Sequence, residues 1–91
     1  MKCCSYKIGV IVEIMDSSDG RYKLITIGQD PKDIYTFTRL VVGNETLILN
    51  CEYNEIIVDD LKVGDFVLAY HSNVMTMSIP PQTSAYIIEV K

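Results

Sequence analysis

From residue 6 to residue 15 the chain alternates. Tyr6, Ile8, Val10, Val12 and Ile14 fall on one parity, and Lys7, Gly9, Ile11, Glu13 and Met15 on the other. A period of two sends these sets to opposite faces of a half-buried strand, and helical spacing fits the same residues less well. Gly9, without a Cβ, marks a bend or bulge where a neighbouring strand comes close. The run Asp16-Ser17-Ser18-Asp19-Gly20 supplies turn chemistry, with Gly20 free to take positive φ, so a hairpin is expected. In the return strand over residues 21 to 28, Tyr22, Leu24, Ile25 and Ile27 occupy both parities, which requires both faces to be at least partly covered.

Asp30-Pro31 marks the next turn, and residues 34 to 42, rich in β-branched and aromatic side chains, read as a third strand. Gly43-Asn44 is a two-residue hairpin signal before residues 46 to 51. Glu52-Tyr53-Asn54-Glu55 gives another turn before the short apolar piece at 56 to 58. One helical or 3-10 turn is expected near residues 59 to 63, capped by Asp59 or Asp60 and stopped by Gly64, with Leu61 and Val63 plugging a barrel end. Residues 65 to 71 form a strand that sets Phe66, Leu68 and Tyr70 opposite Val67, Ala69 and His71, again apolar on both parities. Residues 72 to 83 are the longest irregular stretch. Pro80-Pro81 lacks two consecutive backbone donors, which excludes a central strand there and favours a rigid extended crossing. Residues 84 to 91 close the sheet, with Tyr86, Ile88 and Val90 inward and Glu89 and Lys91 on the wet side.

That is five or six short strands with regularly spaced turns and no amphipathic helix of ten residues or more. An open sheet this short would leave an apolar face wet. The expected fold is therefore all-β: a small closed or partly open antiparallel barrel of five to six strands. With 91 residues there is room for one domain, residues 1 to 91, around one core. The 48% hydrophobic content and dispersed charges mark an ordered chain.

Twelve acidic residues against eight basic give a net charge of -4, and no stretch clusters Lys or Arg. That balance argues against a surface that tracks nucleic-acid phosphates or anionic membranes. No apolar run approaches a membrane span, and Met1-Lys2-Cys3-Cys4 lacks the apolar stretch of a signal peptide, so neither anchor nor leader is expected. Adjacent Cys3 and Cys4 strain any mutual disulfide and leave at most one bridge to Cys51; free thiols fit a reducing, cytoplasmic compartment.

The stretch Asp60-Leu61-Lys62-Val63-Gly64-Asp65-Phe66-Val67, then Ala69-Tyr70-His71-Ser72, Met75-Thr76-Met77-Ser78-Ile79-Pro80-Pro81-Gln82 and Ala85-Tyr86-Ile87-Ile88, resembles a small uncharacterised bacterial domain. That domain is often found in cell-surface proteins beside a copper amine oxidase N-terminal-like stalk domain. The resemblance covers chiefly residues 60 to 91, with a looser match of strand order before it, and Ile79-Pro80-Pro81-Gln82 is its most specific element. It implies an OB-like barrel, a cell-surface setting and no catalytic residues to carry over. The neighbouring domain's name implies no copper here. The paired N-terminal cysteines depart from the pattern.

His71 is the only histidine, so triad, Cys-His and two-His metal designs would each hang on one residue, and no enzyme or cofactor is expected. Adjacent Asp59 and Asp60 point apart along the chain, and a capped turn accounts for them. Cys3, Cys4, Cys51, His71, Met75 and Met77 would suit Cu(I) if they met in space; the competing reading makes the methionines gap-fillers and the cysteines small hydrophobes. Among the six tyrosines, Tyr22 and Tyr35, with Phe37, would lie on the second and third strands of an OB-type barrel, as stacking platforms for single-stranded nucleic acid or saccharide, or else as cross-strand packing pairs. Phe66, Leu68 and Tyr70 are either covered by Leu61 and the 72 to 83 loop or exposed together, in which case another protein or domain, or a second copy forming a homodimer, is the expected partner. The reading that leads is a non-catalytic protein-binding or structural module.

Overall fold

The computed structural model describes residues 5 to 91. Six strands follow in order: β1 (Ser5–Asp16), β2 (Lys23–Gly28), β3 (Phe37–Val42), β4 (Leu47–Leu49), β5 (Phe66–His71) and β6 (Gln82–Val90). The long β1 pairs antiparallel with β5 through its first half and with β2 through its second. β2 pairs antiparallel with β3, and β5 with β6. A parallel contact of three rungs, Arg39 with Gln82 to Val41 with Ser84, joins β3 to β6 and closes the ring β1-β2-β3-β6-β5. β4 stands outside this ring, parallel to β6.

The barrel is closed and all-β, as the pattern of residues requires, but it is mixed rather than antiparallel. The difference arises at Gly43-Asn44, which turns the chain without making a hairpin. Thr46 N–H donates to Gly43 O at 3.1 Å, while Thr46 Oγ1 donates to Ala85 O of β6 at 2.9 Å. Fastened there, the chain leaves β3 and runs alongside β6.

The core consists of Ile11, Ile25, Ile27, Leu40, Val42, Ile48, Leu61, Val67, Ala69, Ala85 and Ile88, with Ile14, Ile56, Val58 and Val90 packed against it. Both parities of β1 contribute, because a bulge at Val12 interrupts the pairing: Ile11 faces Ile27, whereas Glu13 faces Thr26. One extra residue exchanges the two faces of a strand. Gly9 and Ile11 therefore point inward before the bulge and Ile14 after it, so the single inward parity does not run the length of the strand. Gly9 sits three residues before the bulge and serves the close approach: a Cβ there would lie 2.8 Å from Gly28 O. On β2, Ile25 and Ile27 face the core. Thr26, on the outer face, is buried beside its cross-strand neighbours Arg39 and Glu13, whose Nη2 and Oε1 are 4.0 Å apart. Both faces of β2 are thus covered.

A second bulge lies in β6. Tyr70 faces Ile87 and His71 faces Ala85, so Tyr86 is the inserted residue. It points outward, against the inward position expected from alternation, while Ile88 is fully buried.

Residues 34 to 36 form a 3-10 turn rather than the start of β3, because the Asp33 carboxylate accepts from Tyr35 N–H at 3.0 Å and holds the chain in a tight turn. The turn expected near 59 to 63 spans Val58–Asp60. Its cap position is Ile57, not Asp59 or Asp60; Asp60 instead accepts from Ile57 N–H at 3.3 Å. Leu61 is buried in the core, but Val63 is exposed and plugs nothing. Gly64, at φ 101°, redirects the chain into β5 while its N–H donates to Ile11 O at 2.8 Å.

Candidate functional site

Along β5 the outward residues Phe66, Leu68 and Tyr70 alternate with buried Val67, Ala69 and His71. β1 lies beside β5 in a register that sets Val10 against Phe66, Ile8 against Leu68 and Tyr6 against Tyr70. On the other flank Tyr70 faces Ile87 of β6, and Ile87 faces Leu47 of β4. One outer face therefore carries apolar side chains across four strands. Tyr6 is 63% exposed, Phe66 46% and Ile8 40%, so neither Leu61 nor the 72 to 83 loop covers it. Tyr6 and Tyr70 meet at a ring-centroid distance of 6.2 Å and an interplanar angle of 51°. Tyr6 and Phe66 by themselves leave roughly 200 Å² of ring surface in water. With their aliphatic neighbours they give this face the apolar character that marks interaction sites where it is contiguous.

The charge inside this face is neutralised locally. Glu89, set between Leu68 and Leu49 in the pairing, accepts from Lys91 Nζ at 2.8 Å, and that hydrogen bond holds the lysine above its ordinary pKa. The Lys91 ammonium stands 5.8 Å from the Tyr53 ring centroid at the margin of the face. Tyr53 holds φ at 64°, a left-handed conformation that disfavours a bulky side chain. Asn50 sustains it by accepting from the N–H groups of Glu52 and Asn54 at 2.9 and 3.0 Å.

The free side of β4 is not an open edge. Residues 54 to 56 fold back along it, with Ile56 N–H donating to Ile48 O at 2.8 Å and Asn50 N–H to Asn54 O at 2.9 Å. What the four strands offer is side chains, not unpaired backbone.

The three aromatics read as one stacking platform are divided. Tyr22 precedes β2, beside the end of β3, whereas Phe37 opens β3 opposite Gly28 at the other end of the hairpin. Tyr35 belongs with Phe37: both line a hollow of about 340 Å³ with Ile8, Gly28, Met75 and Pro81. Along six-residue strands the two ends stand roughly 17 Å apart.

The soft ligands are scattered too. His71 is buried at the end of β5, opposite Ala85, while Cys51 is exposed beyond the far end of β4, and Met77 is fully exposed in the 72 to 83 loop. Cys3 and Cys4 lie outside the described residues. Among the described residues no three His, Cys, Asp or Glu side chains gather closely enough to hold a metal ion, and no helix is long and apolar enough to cross a membrane. Asp59 and Asp60 are surface residues of the 3-10 turn.

Tyr6, Ile8, Leu47 and Ile87 were not legible as members of the exposed face. Alternation names the parity of each strand, but only the register between strands shows which outward residues stand side by side. No family model, no curated protein and no solved structure matches this chain.

Proposed function

We propose that this protein is a non-catalytic β-barrel module that binds another protein or domain through the outer face of β1, β5, β6 and β4. The observation that carries the reading is the run of outward-facing apolar pairs Tyr6 with Tyr70, Ile8 with Leu68 and Val10 with Phe66, one member of each exposed, continued by Ile87 and Leu47. A closed barrel has no need of this surface for its core, so its apolar character supports a contact with a further surface. The covered side of β4 favours face-to-face packing over addition of a strand. Tyr53 supports it further, since a large aromatic is kept at a positive φ where Gly or Asn would fit with less strain.

The ring order, with β1 between β2 and β5 and a parallel β3–β6 closure, supports describing the barrel as OB-like. A surface-protein domain of the kind that residues 60 to 91 resemble would use such a face against a neighbouring domain.

The test is direct. The wild-type chain is expected to enhance the fluorescence of an anilinonaphthalene sulfonate dye and to self-associate weakly as concentration rises in light scattering. Ile8→Lys combined with Phe66→Lys abolishes both and leaves the unfolding midpoint nearly unchanged. A wild-type chain that is dye-silent and strictly monomeric overturns the reading. So does a double variant that unfolds, since the face would then be structural.

A further inference from the structure

The outward stretch of β6 that carries Ser84 and Tyr86 serves a second place on the barrel, distinct from the apolar face. β3 and β6 pair for three rungs only; past Val41 and Ser84 the strands diverge, β3 turning away at Gly43 and β6 continuing beside β4. The divergence opens a cleft of about 700 Å³, within the range of small-ligand sites. Tyr86 enters it because it shares the outward side of β6 with Ser84, the two flanking buried Ala85, and the bulge then returns Ile88 to the core. Tyr22 enters it from the opposite wall, where Gly43 leaves space: a Cβ on Gly43 would come 3.0 Å from two carbons of the Tyr22 ring. The outward side of β6 before its bulge and the space left by Gly43 thus bring two half-exposed tyrosines to one cleft.

The remaining lining decides the ligand class. Arg21, Asn44, Glu45 and Ser84 offer donors and acceptors of both signs, and the one arginine stands 3.9 Å from Asp19. A nucleic-acid backbone would find a single, already accompanied cation here and an acidic residue beside it, on a chain of net charge -4. A neutral sugar has the matching chemistry. Its C–H face packs on an aromatic ring, and its hydroxyls each donate and accept, which suits a lining of amide, hydroxyl, guanidinium and carboxylate groups. The geometry points to a binding site for a neutral saccharide between Tyr22 and Tyr86.

The full chain, labelled with nitrogen-15, is titrated with cellohexaose, maltohexaose and chitohexaose separately to about 10 mM, a range that detects millimolar affinity. At least one sugar is expected to shift the amides of Gly43, Asn44, Ser84 and Tyr86. Tyr22→Ala and Tyr86→Ala each weaken that binding by about tenfold. Tyr22→Phe, which keeps the ring against Gly43 and so guards against misfolding, retains most of the affinity, and Tyr35→Ala leaves it unchanged. The proposal is overturned if none of the three sugars shifts these amides, or if the shifts fall at Tyr35 and Phe37. It is equally overturned if an oligothymidylate displaces the sugar from the same amides at lower concentration.

Discussion

Gly9 of β1 runs so close to Gly28 of β2 that a Cβ on Gly9 would lie 2.8 Å from the Gly28 carbonyl oxygen and 2.9 Å from its carbon. Both obstacles are backbone, and the backbone belongs to a closed ring that cannot open at one rung without disturbing its neighbours. A Cβ on Gly28 would meet the Phe37 ring at 2.5 Å instead, a side chain that is only partly buried and can swing aside. Gly9→Ala is therefore expected to cost about 1 to 3 kcal/mol, the range of an overpacked core, and Gly28→Ala clearly less. Urea unfolding of the two variants checks the order; equal losses would mean that the contact with β2 is softer than the geometry requires.

Strand existence was legible in this chain because alternation is local: Val67, Ala69 and His71 are buried and Phe66, Leu68 and Tyr70 are not, as the spacing implies. Gly20 takes positive φ in the first turn, and Pro80-Pro81 stays outside β6, both for reasons written in the residues themselves. The errors cluster at bulges and crossings. Val12 and Tyr86 are ordinary strand residues with no local sign that each is one too many; the partner strand decides it. Gly43-Asn44 signals a turn, but whether the chain doubles back on β3 or crosses to β6 is settled by Thr46 reaching Ala85, a contact 39 positions away. The exposed face was half legible for the same reason. β5 announced its outer residues, but their pairing with Tyr6 and Ile8 needed the register.

Tyr53 sets two effects of similar size against each other. A left-handed φ costs a non-glycine residue roughly 1 to 2 kcal/mol, and Asn tolerates it better than other side chains. Its exposed contact with the Lys91 ammonium, 5.8 Å from the ring centroid, offsets only part of that. Strain wins narrowly, so Tyr53→Asn is expected to raise stability by up to about 1 kcal/mol. Thermal unfolding compares the two chains, and a lowered midpoint would show that the ring contributes more packing than its exposure implies.

His71 Nδ1 lies 2.8 Å from Ser72 O, and a carbonyl can only accept, so Nδ1 carries the proton. Thr83 Oγ1 lies 3.0 Å from the same oxygen and has a closer acceptor for its single proton in Val74 O at 2.8 Å. Nε2 is then an acceptor, buried and without a partner among the described residues. Long-range nitrogen-proton correlation spectra of the neutral ring are expected to show the Nδ1–H tautomer, the minority form of free histidine. Finding Nε2–H instead would mean that the ring is turned over in solution.

The charged side chains give opposite pH limbs. The Asp19 carboxylate accepts from Ser17 Oγ–H at 2.7 Å and from Arg21 N–H at 3.1 Å, and these bonds hold it below its ordinary value of 3.8. A depressed acid binds its proton more tightly in the unfolded chain, so its stabilisation is complete above 3.8 and is lost as pH falls through the lower folded value. Lys23 and Lys91 are raised from 10.5, chiefly by hydrogen bonds to Asp16 and Glu89. Their stabilisation is complete below 10.5 and is lost as pH rises through the higher folded values. All three groups face solvent, so both limbs are shallow and flatten further in salt. Denaturation midpoints measured across pH should therefore hold a plateau through neutrality. Asp19→Asn is expected to reduce the slope of the acid limb alone, and Lys91→Met that of the alkaline limb alone. A variant that moved the opposite limb would show that its partner, and not the named hydrogen bond, sets the shift.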